Sequence, residues 1–199
     1  MMDRLVIAAV LAFLALSGCG TPHPAVELAG GYASSATAYG RLLPLYTREV
    51  QLYDGFDTVA KGYATWRAPE LRRAAVEVSI ERYQLEEAAA GQLRAEQERA
   101  ARTVREFHLA LYTPLRQLND LESPGSLWRA FLELPDGERL EPLEVVFVRK
   151  TDKSGVEYPY VNPWTREYTL RFPLLGAEEP HRHLTLVLAG TLGSLRFTF

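Results

Sequence analysis

Near residue 106 the hydrophobic period of this chain changes from 3.6 to 2, and no single class of secondary structure accommodates that change. Upstream, Leu71, Ala74, Ala75 and Val78 fall on one helical stripe with Val76, Ile80 and Tyr83 beside it. Pro69 stands at a favoured first helical position, and Glu70 follows where the helix dipole favours an acid. The helix-prone run continues to Arg105, with Gly91 and the step at residues 84–87 leaving open whether it is one helix or two. Downstream, Phe107, Leu109 and Leu111 alternate with His108, Ala110 and Tyr112, and the same alternation returns around Trp128, Tyr168, Leu184 and Leu195. Residues 48–67 alternate as well and enclose Asp54-Gly55, a hairpin turn signal. These patterns predict an α+β domain: an antiparallel β-sandwich with a helical segment inserted after the first β-hairpin. The expected bounds are 48–67 for the hairpin, 69–105 for the helical segment and 106–199 for the sandwich strands, all within one domain spanning 36–199.

Three packing expectations follow. Val145-Val146-Phe147-Val148 is apolar on both faces and predicts a central strand. Trp128 and Phe147 are expected in the core on neighbouring strands. Thr58, Ala60, Gly62, Ala64 and Trp66 share one face of the return strand of the hairpin, and their small size predicts close approach by another element, for which the long helix is the natural candidate.

The first residues read as an address. Leu5–Leu16 carries no charge and follows Arg4, the pattern of a secretory signal peptide, and is too short for the roughly 20 residues of a membrane-spanning helix. Leu16-Ser17-Gly18-Cys19 resembles the lipobox of bacterial lipoproteins: an apolar residue, two small residues and a cysteine. The resemblance implies a signal peptide over 1–18, cleavage before Cys19, thioether lipidation of its thiol and acylation of the new amine by a fatty acid such as palmitate. Two or three chains would hold the protein on the membrane, where one binds only marginally. Cys19 is the only cysteine, so no disulfide within one chain competes for it. Residues 19–35, rich in Gly, Pro and Ala, then read as an acylated N-terminus and flexible tether. Gly20 in place of Asp favours the outer membrane, periplasmic face, over the inner membrane in the usual sorting rule. In the body, Tyr53-Asp54-Gly55-Phe56-Asp57-Thr58, Leu111-Tyr112-Thr113-Pro114, Asn119-Asp120-Leu121 and the segment Tyr158 to Trp164 resemble blocks of uncharacterised bacterial envelope lipoproteins, a resemblance that implies no activity.

Composition narrows the rest. With 47 % hydrophobic and 24 % charged residues and a net charge of −3, the chain is globular, and its basic residues form no stripe for nucleic acid. It contains no Gly-x-Ser-x-Gly, no phosphate-binding glycine loop and no His-Glu-x-x-His, so the reading is that it is not an enzyme and takes no cofactor. His181-Arg182-His183 would need a third ligand to bind zinc and reads as a polar loop, so no metal residue is assigned. Asn119-Asp120-Leu121-Glu122 and Thr151-Asp152-Lys153-Ser154-Gly155 lack the calcium-loop pattern and read as side-chain-capped turns. The candidate binding loop is the aromatic stretch containing Tyr158, Tyr160 and Trp164. It is either a recognition loop or an aromatic plug sealing one end of the sandwich, and the stiff Pro159 and Pro163 favour the plug. The leading functional expectation is a membrane-anchored structural or protein-interaction module. The alternative is a lipid- or glycan-binding accessory lipoprotein, and an enzyme without recognisable motif is third. Cys19→Ser is expected to abolish incorporation of a labelled fatty-acid analogue in cells; label retained on the serine variant would refute the anchor.

Overall fold

The computed structural model describes residues 31–149, 151, 154–174 and 183–199. The lipobox, Cys19, most of the tether, Asp152-Lys153 and His181-Arg182 lie outside the described residues.

Two antiparallel sheets face each other. The larger contains β1 (Thr47–Asp54), β2 (Asp57–Trp66), β3 (Val104–Tyr112), β6 (Glu144–Val148) and β7 (Arg166–Pro173), in the order β1-β2-β3-β7-β6. The smaller contains β4 (Trp128–Glu133), β5 (Arg139–Leu140), β8 (Thr185–Gly190) and β9 (Gly193–Thr198), in the order β5-β4-β8-β9. Between β2 and β3 the chain forms α2 (Pro69–Tyr83) and α3 (Glu87–Thr103), preceded by the short α1 (Ala38–Leu42) and followed much later by the single turn α4 (Ser154–Glu157). The α+β sandwich with helices inserted after its first hairpin is therefore the observed architecture.

Period-2 patterning explains the core. Ala60, Ala64, Phe107, Leu109, Leu111, Tyr168, Leu170 and Phe172 from the large sheet pack against Trp128, Leu132, Leu186, Leu188, Leu195 and Phe197 from the small one. Trp128 is buried, and its indole N–H donates to the Leu118 carbonyl at 2.9 Å, so the polar end of a core aromatic is satisfied.

A second, smaller core lies on the opposite face of the large sheet. There Leu71, Ala74 and Val78 of α2 pack on Tyr32, Ala33, Tyr39 and Leu43. The helical stripe read from the sequence is the face that meets them. Tyr32 and Ala33 are 3 % and 1 % exposed, so the folded body reaches back into the stretch expected to be tether. Tyr32 donates its hydroxyl proton to the Ala75 carbonyl at 2.6 Å and stacks edge-on against Tyr39. The helical run is two helices, not one: Gln84 caps α2 with φ of 48°, a left-handed conformation that reverses the chain. The hairpin turn is centred on Gly55-Phe56, one residue later than the sequence signal, because Asp54 pairs with Asp57 and Gly55 takes φ of 60°.

Three packing expectations need correction. β6 is an edge strand that pairs only with β7, and Phe147 is 39 % exposed, its ring covered by the Arg166 guanidinium at 4.3 Å. An apolar run is indifferent to whether its strand is central or at an edge, since one sheet face and a cationic cover suffice to shelter it. Trp128 and Phe147 belong to different sheets and are not on neighbouring strands. The small residues of β2 make room for Phe197 of β9 and not for the helix, which lies on the other side of the sheet. A Cβ added at Gly62 would stand 2.7 Å from the Phe197 ring. Gly62→Ala is accordingly expected to lower stability by about 1–3 kcal/mol in a urea titration, as overpacking does, and Phe197→Leu in the same chain is expected to recover part of that loss. A neutral Gly62→Ala would place the close contact elsewhere.

Candidate functional site

The outer face of the large sheet, not the sandwich interior, carries the polar chemistry. Strand register sets it out in rows. Arg67 just past the end of β2, Glu106 on β3 and Arg171 on β7 occupy adjacent places, since Trp66 pairs with Phe107, the Arg67 N–H donates to the Glu106 carbonyl at 2.9 Å, and Glu106 pairs with Arg171. Thr47, Thr65, His108 and Thr169 form the next row across β1, β2, β3 and β7.

In the first row Glu106 is 4 % exposed and accepts from Arg67 and from Arg171 Nε at 2.9 Å, with Arg72 Nη2 of α2 at 3.5 Å. Burial alone would push this carboxyl up; the three guanidinium groups override it and hold it below the ordinary glutamate value. In the second row His108 is buried. Its Nδ1 lies 3.0 Å from the Tyr160 hydroxyl and its Nε2 lies 3.0 Å from Glu167 Oε2. Burial pushes the imidazole below its usual range, and Glu167 only partly opposes this. Tyr158 lies flat on the His108 ring at 3.7 Å and 1°. Tyr160 stacks on Tyr63 of β2 at 5.0 Å.

The candidate loop is thus divided by the fold. Tyr158 and Tyr160 are anchors: one stacks on His108, and the other is 7 % exposed with its hydroxyl in the row of β-strand side chains. Trp164 is 76 % exposed, which overturns the reading of this residue as a plug. Proline stiffness restricts the loop wherever the indole points, so it could not tell the two readings apart. The turn around Trp164 is tightly made. Asn162 Oδ1 accepts from the Trp164 N–H at 3.0 Å, and Thr165 donates its hydroxyl proton to the Asn162 carbonyl at 2.9 Å.

Beside Trp164 the sheet face is uncovered. Lys61, Tyr63, Tyr112, Asn162, Trp164 and Thr165 line an open groove of about 430 Å³. Lys61 pairs with Glu49 at 2.8 Å and sits over the Tyr63 ring at 5.1 Å, and Gln51 donates to the same Glu49 at 2.6 Å. The groove therefore offers aromatic surface with fixed, mutually neutralised polar groups. A larger cleft of about 680 Å³ separates α2 from α3, but its charges answer one another, as Arg94 does with Glu77 and Glu87. Among the described residues, no group of three or more His, Cys, Asp or Glu side chains is placed to hold a metal ion, and no helix is long and apolar enough to cross a membrane.

Sequence reasoning missed His108, Glu106, Glu167 and Asn119. Asn119 is buried, donates to the Leu111 carbonyl at 2.7 Å and accepts from the Tyr168 hydroxyl, so it ties its loop to two strands. The one available signal was polar residues on the non-core positions of β3, a strand then covered by helices. No protein-family model, no curated protein and no solved structure matches the chain.

The buried row makes a stability forecast. A carboxyl whose folded value is depressed contributes stability above its unfolded value, about 4.3, and loses that contribution as pH falls through the folded value. Glu106→Gln is expected to lower stability at neutral pH by about 3 kcal/mol, the low end for a broken buried pair because Arg67 and Arg171 reach solvent. Urea unfolding should also show a shallower acid limb for the variant. An unchanged limb would mean that Glu106 is not a source of the pH dependence.

Proposed function

We propose that the chain is a lipid-anchored envelope binding module, held to the membrane through Cys19, that recognises a neutral, hydroxyl-rich ligand of the carbohydrate class in the groove beside Trp164. The observation that carries this reading is the exposed Trp164 indole standing beside a groove with Tyr63 and Tyr112 in its lining. Aromatic faces attract the C–H faces of a sugar ring, and the amide and hydroxyl groups around them can exchange water for ligand hydroxyls.

Electrostatics supports this class over others. Lys61 is neutralised by Glu49, so an anion finds no free cation in the groove wall. An apolar lipid chain or the apolar core of a protein partner would have to desolvate that ion pair, which is unfavourable, and interface cores are depleted in charge for this reason. The net charge of −3 adds nothing for nucleic acid. The second reading, a protein partner, is favoured by a different feature: at the β1–β2 turn Phe56 is fully exposed and Tyr53 is 55 % exposed. The Gly20 sorting signal supports the periplasmic face of the outer membrane as the location.

The two readings separate in one experiment. Oligomers of N-acetylglucosamine, used as soluble stand-ins for envelope glycans, are titrated against the mature chain by isothermal calorimetry. Trp164→Ala is expected to leave stability within about 0.5 kcal/mol of wild type, and to weaken binding at least about tenfold, the equivalent of 1.4 kcal/mol. A Phe56→Ser variant should bind normally. No response to any oligosaccharide, with crosslinking to a protein lost in Phe56→Ser, would replace the carbohydrate reading by the protein one.

A further inference from the structure

Five contacts run in series across the outer face of the large sheet. They are the Leu43 carbonyl to Thr47 Oγ1 at 2.8 Å, Thr47 to Thr65 at 2.7 Å, Thr65 to the Tyr160 hydroxyl at 2.6 Å, Tyr160 to His108 Nδ1 at 3.0 Å, and His108 Nε2 to Glu167 Oε2 at 3.0 Å. Each is a hydrogen bond only if one proton lies between its two atoms.

The carbonyl at the start of the series fixes its direction. Leu43 offers no proton there, so Thr47 must donate to it. Thr47 then has none left for Thr65, so Thr65 donates to Thr47, and Tyr160 in turn donates to Thr65. Tyr160 can only accept from His108, which places the imidazole N–H on Nδ1. A neutral imidazole has a single N–H. Nε2 would therefore meet a Glu167 carboxylate with lone pair against lone pair at 3.0 Å.

We propose that the buried His108–Glu167 pair carries one proton more than a neutral histidine beside a carboxylate, held in the Nε2–Oε2 bond, and that this proton fixes the direction of the hydroxyl chain that clamps the 158–165 segment to the sheet. The proton belongs to the pair and not to either residue. A second observation agrees. Glu167 is 1 % exposed and its Oε1 has no hydrogen-bond partner, so a full carboxylate charge there is poorly solvated, and a proton in the adjoining bond relieves it. Around the pair stand Tyr158, Tyr160 and Glu157 from the loop side, Arg67 just past the end of β2, Glu106 on β3 and Arg72 on α2. Arg67 and Arg72 are engaged by Glu106, and among the described residues the ion-pair partner of Glu167 is His108 itself.

Without the extra proton the series must run backwards. His108 would donate from Nε2 to Glu167, Tyr160 to Nδ1, Thr65 to Tyr160 and Thr47 to Thr65. The Leu43 contact would then be oxygen against oxygen at 2.8 Å. His108 is thus a positioning residue: it touches Tyr158 and Tyr160, and Trp164 follows on the same short segment. The consequence for ligand binding rests on the groove reading above; the protonation itself does not.

The test is nitrogen NMR of the full chain in membranes, labelled with ¹⁵N only in its histidines. There are 4 of these, and a His108→Asn spectrum identifies the relevant pair of signals. The expected result is a protonated His108 Nδ1 at about pH 6, within the range where histidine state is decisive. Glu167→Gln should keep Nδ1 protonated at every pH examined, because the glutamine amide supplies an uncharged N–H to Nε2. Should that variant fail to fold, the wild-type spectrum decides alone. A bare Nδ1 with a protonated Nε2 between about pH 5 and 8 would overturn the proposal. Trp164→Ala is expected to leave these signals unchanged, so a failure of oligosaccharide binding and a failure of the proton assignment are read on different samples.

Discussion

The structure depends on one strand being buried on both faces. In β3, every residue from Arg105 to Leu111 is buried. On one side Phe107, Leu109 and Leu111 enter the sandwich core, where apolar burial is worth about 1.5–3 kcal/mol per large side chain. On the other side the helices and the 154–165 segment cover Glu106 and His108, which cannot be left unpaired there. A covered polar group must find a partner or lose stability. The partners come from everything around: Arg67 from just past the end of β2, Arg171 and Glu167 from β7, Arg72 from α2 and Tyr160 from the loop.

This arrangement links the two layers in a specific register. Sliding β3 by one residue against β2 would put Phe107 on the helix side and His108 in the sandwich core. The apolar core alone resists such a slip, and the polar rows add a second penalty, since Glu106 would lose three guanidinium groups at once. The same rows explain why the aromatic loop is rigid at one end and free at the other. Tyr158 and Tyr160 are consumed in covering and satisfying His108. Trp164 lies past the last covered row, where the sheet face opens to solvent, so its indole has no surface to seal.

The helical layer also shows how unequal burial can be within one insertion. α2 buries Leu71, Ala74, Val76 and Val78, whereas α3 buries only Ala90. A helix with so little burial owes its place to α2 and to ion pairs such as Arg94 with Glu77, which contribute modestly in water. It is the element whose local opening would disturb the rest least.

The sequence by itself determined the alternation of elements, the α+β sandwich and the inward faces of most strands, because hydrophobic period reports which side of a strand or helix meets an apolar surface. It could also mark the aromatic stretch from Tyr158 to Trp164 as unusual. It could not decide which aromatic in that stretch is buried, whether Val145–Val148 is central or at an edge, or that Gly62 faces Phe197 and not a helix. Those are questions of which element lies across from which, and period 2 is the same on an edge strand as in the middle of a sheet. Nor could it assemble Thr47, Thr65, His108, Tyr160 and Glu167 into one row. The residues are far apart along the chain, and strand register together with the return of the loop onto the sheet is what brings them within hydrogen-bond distance.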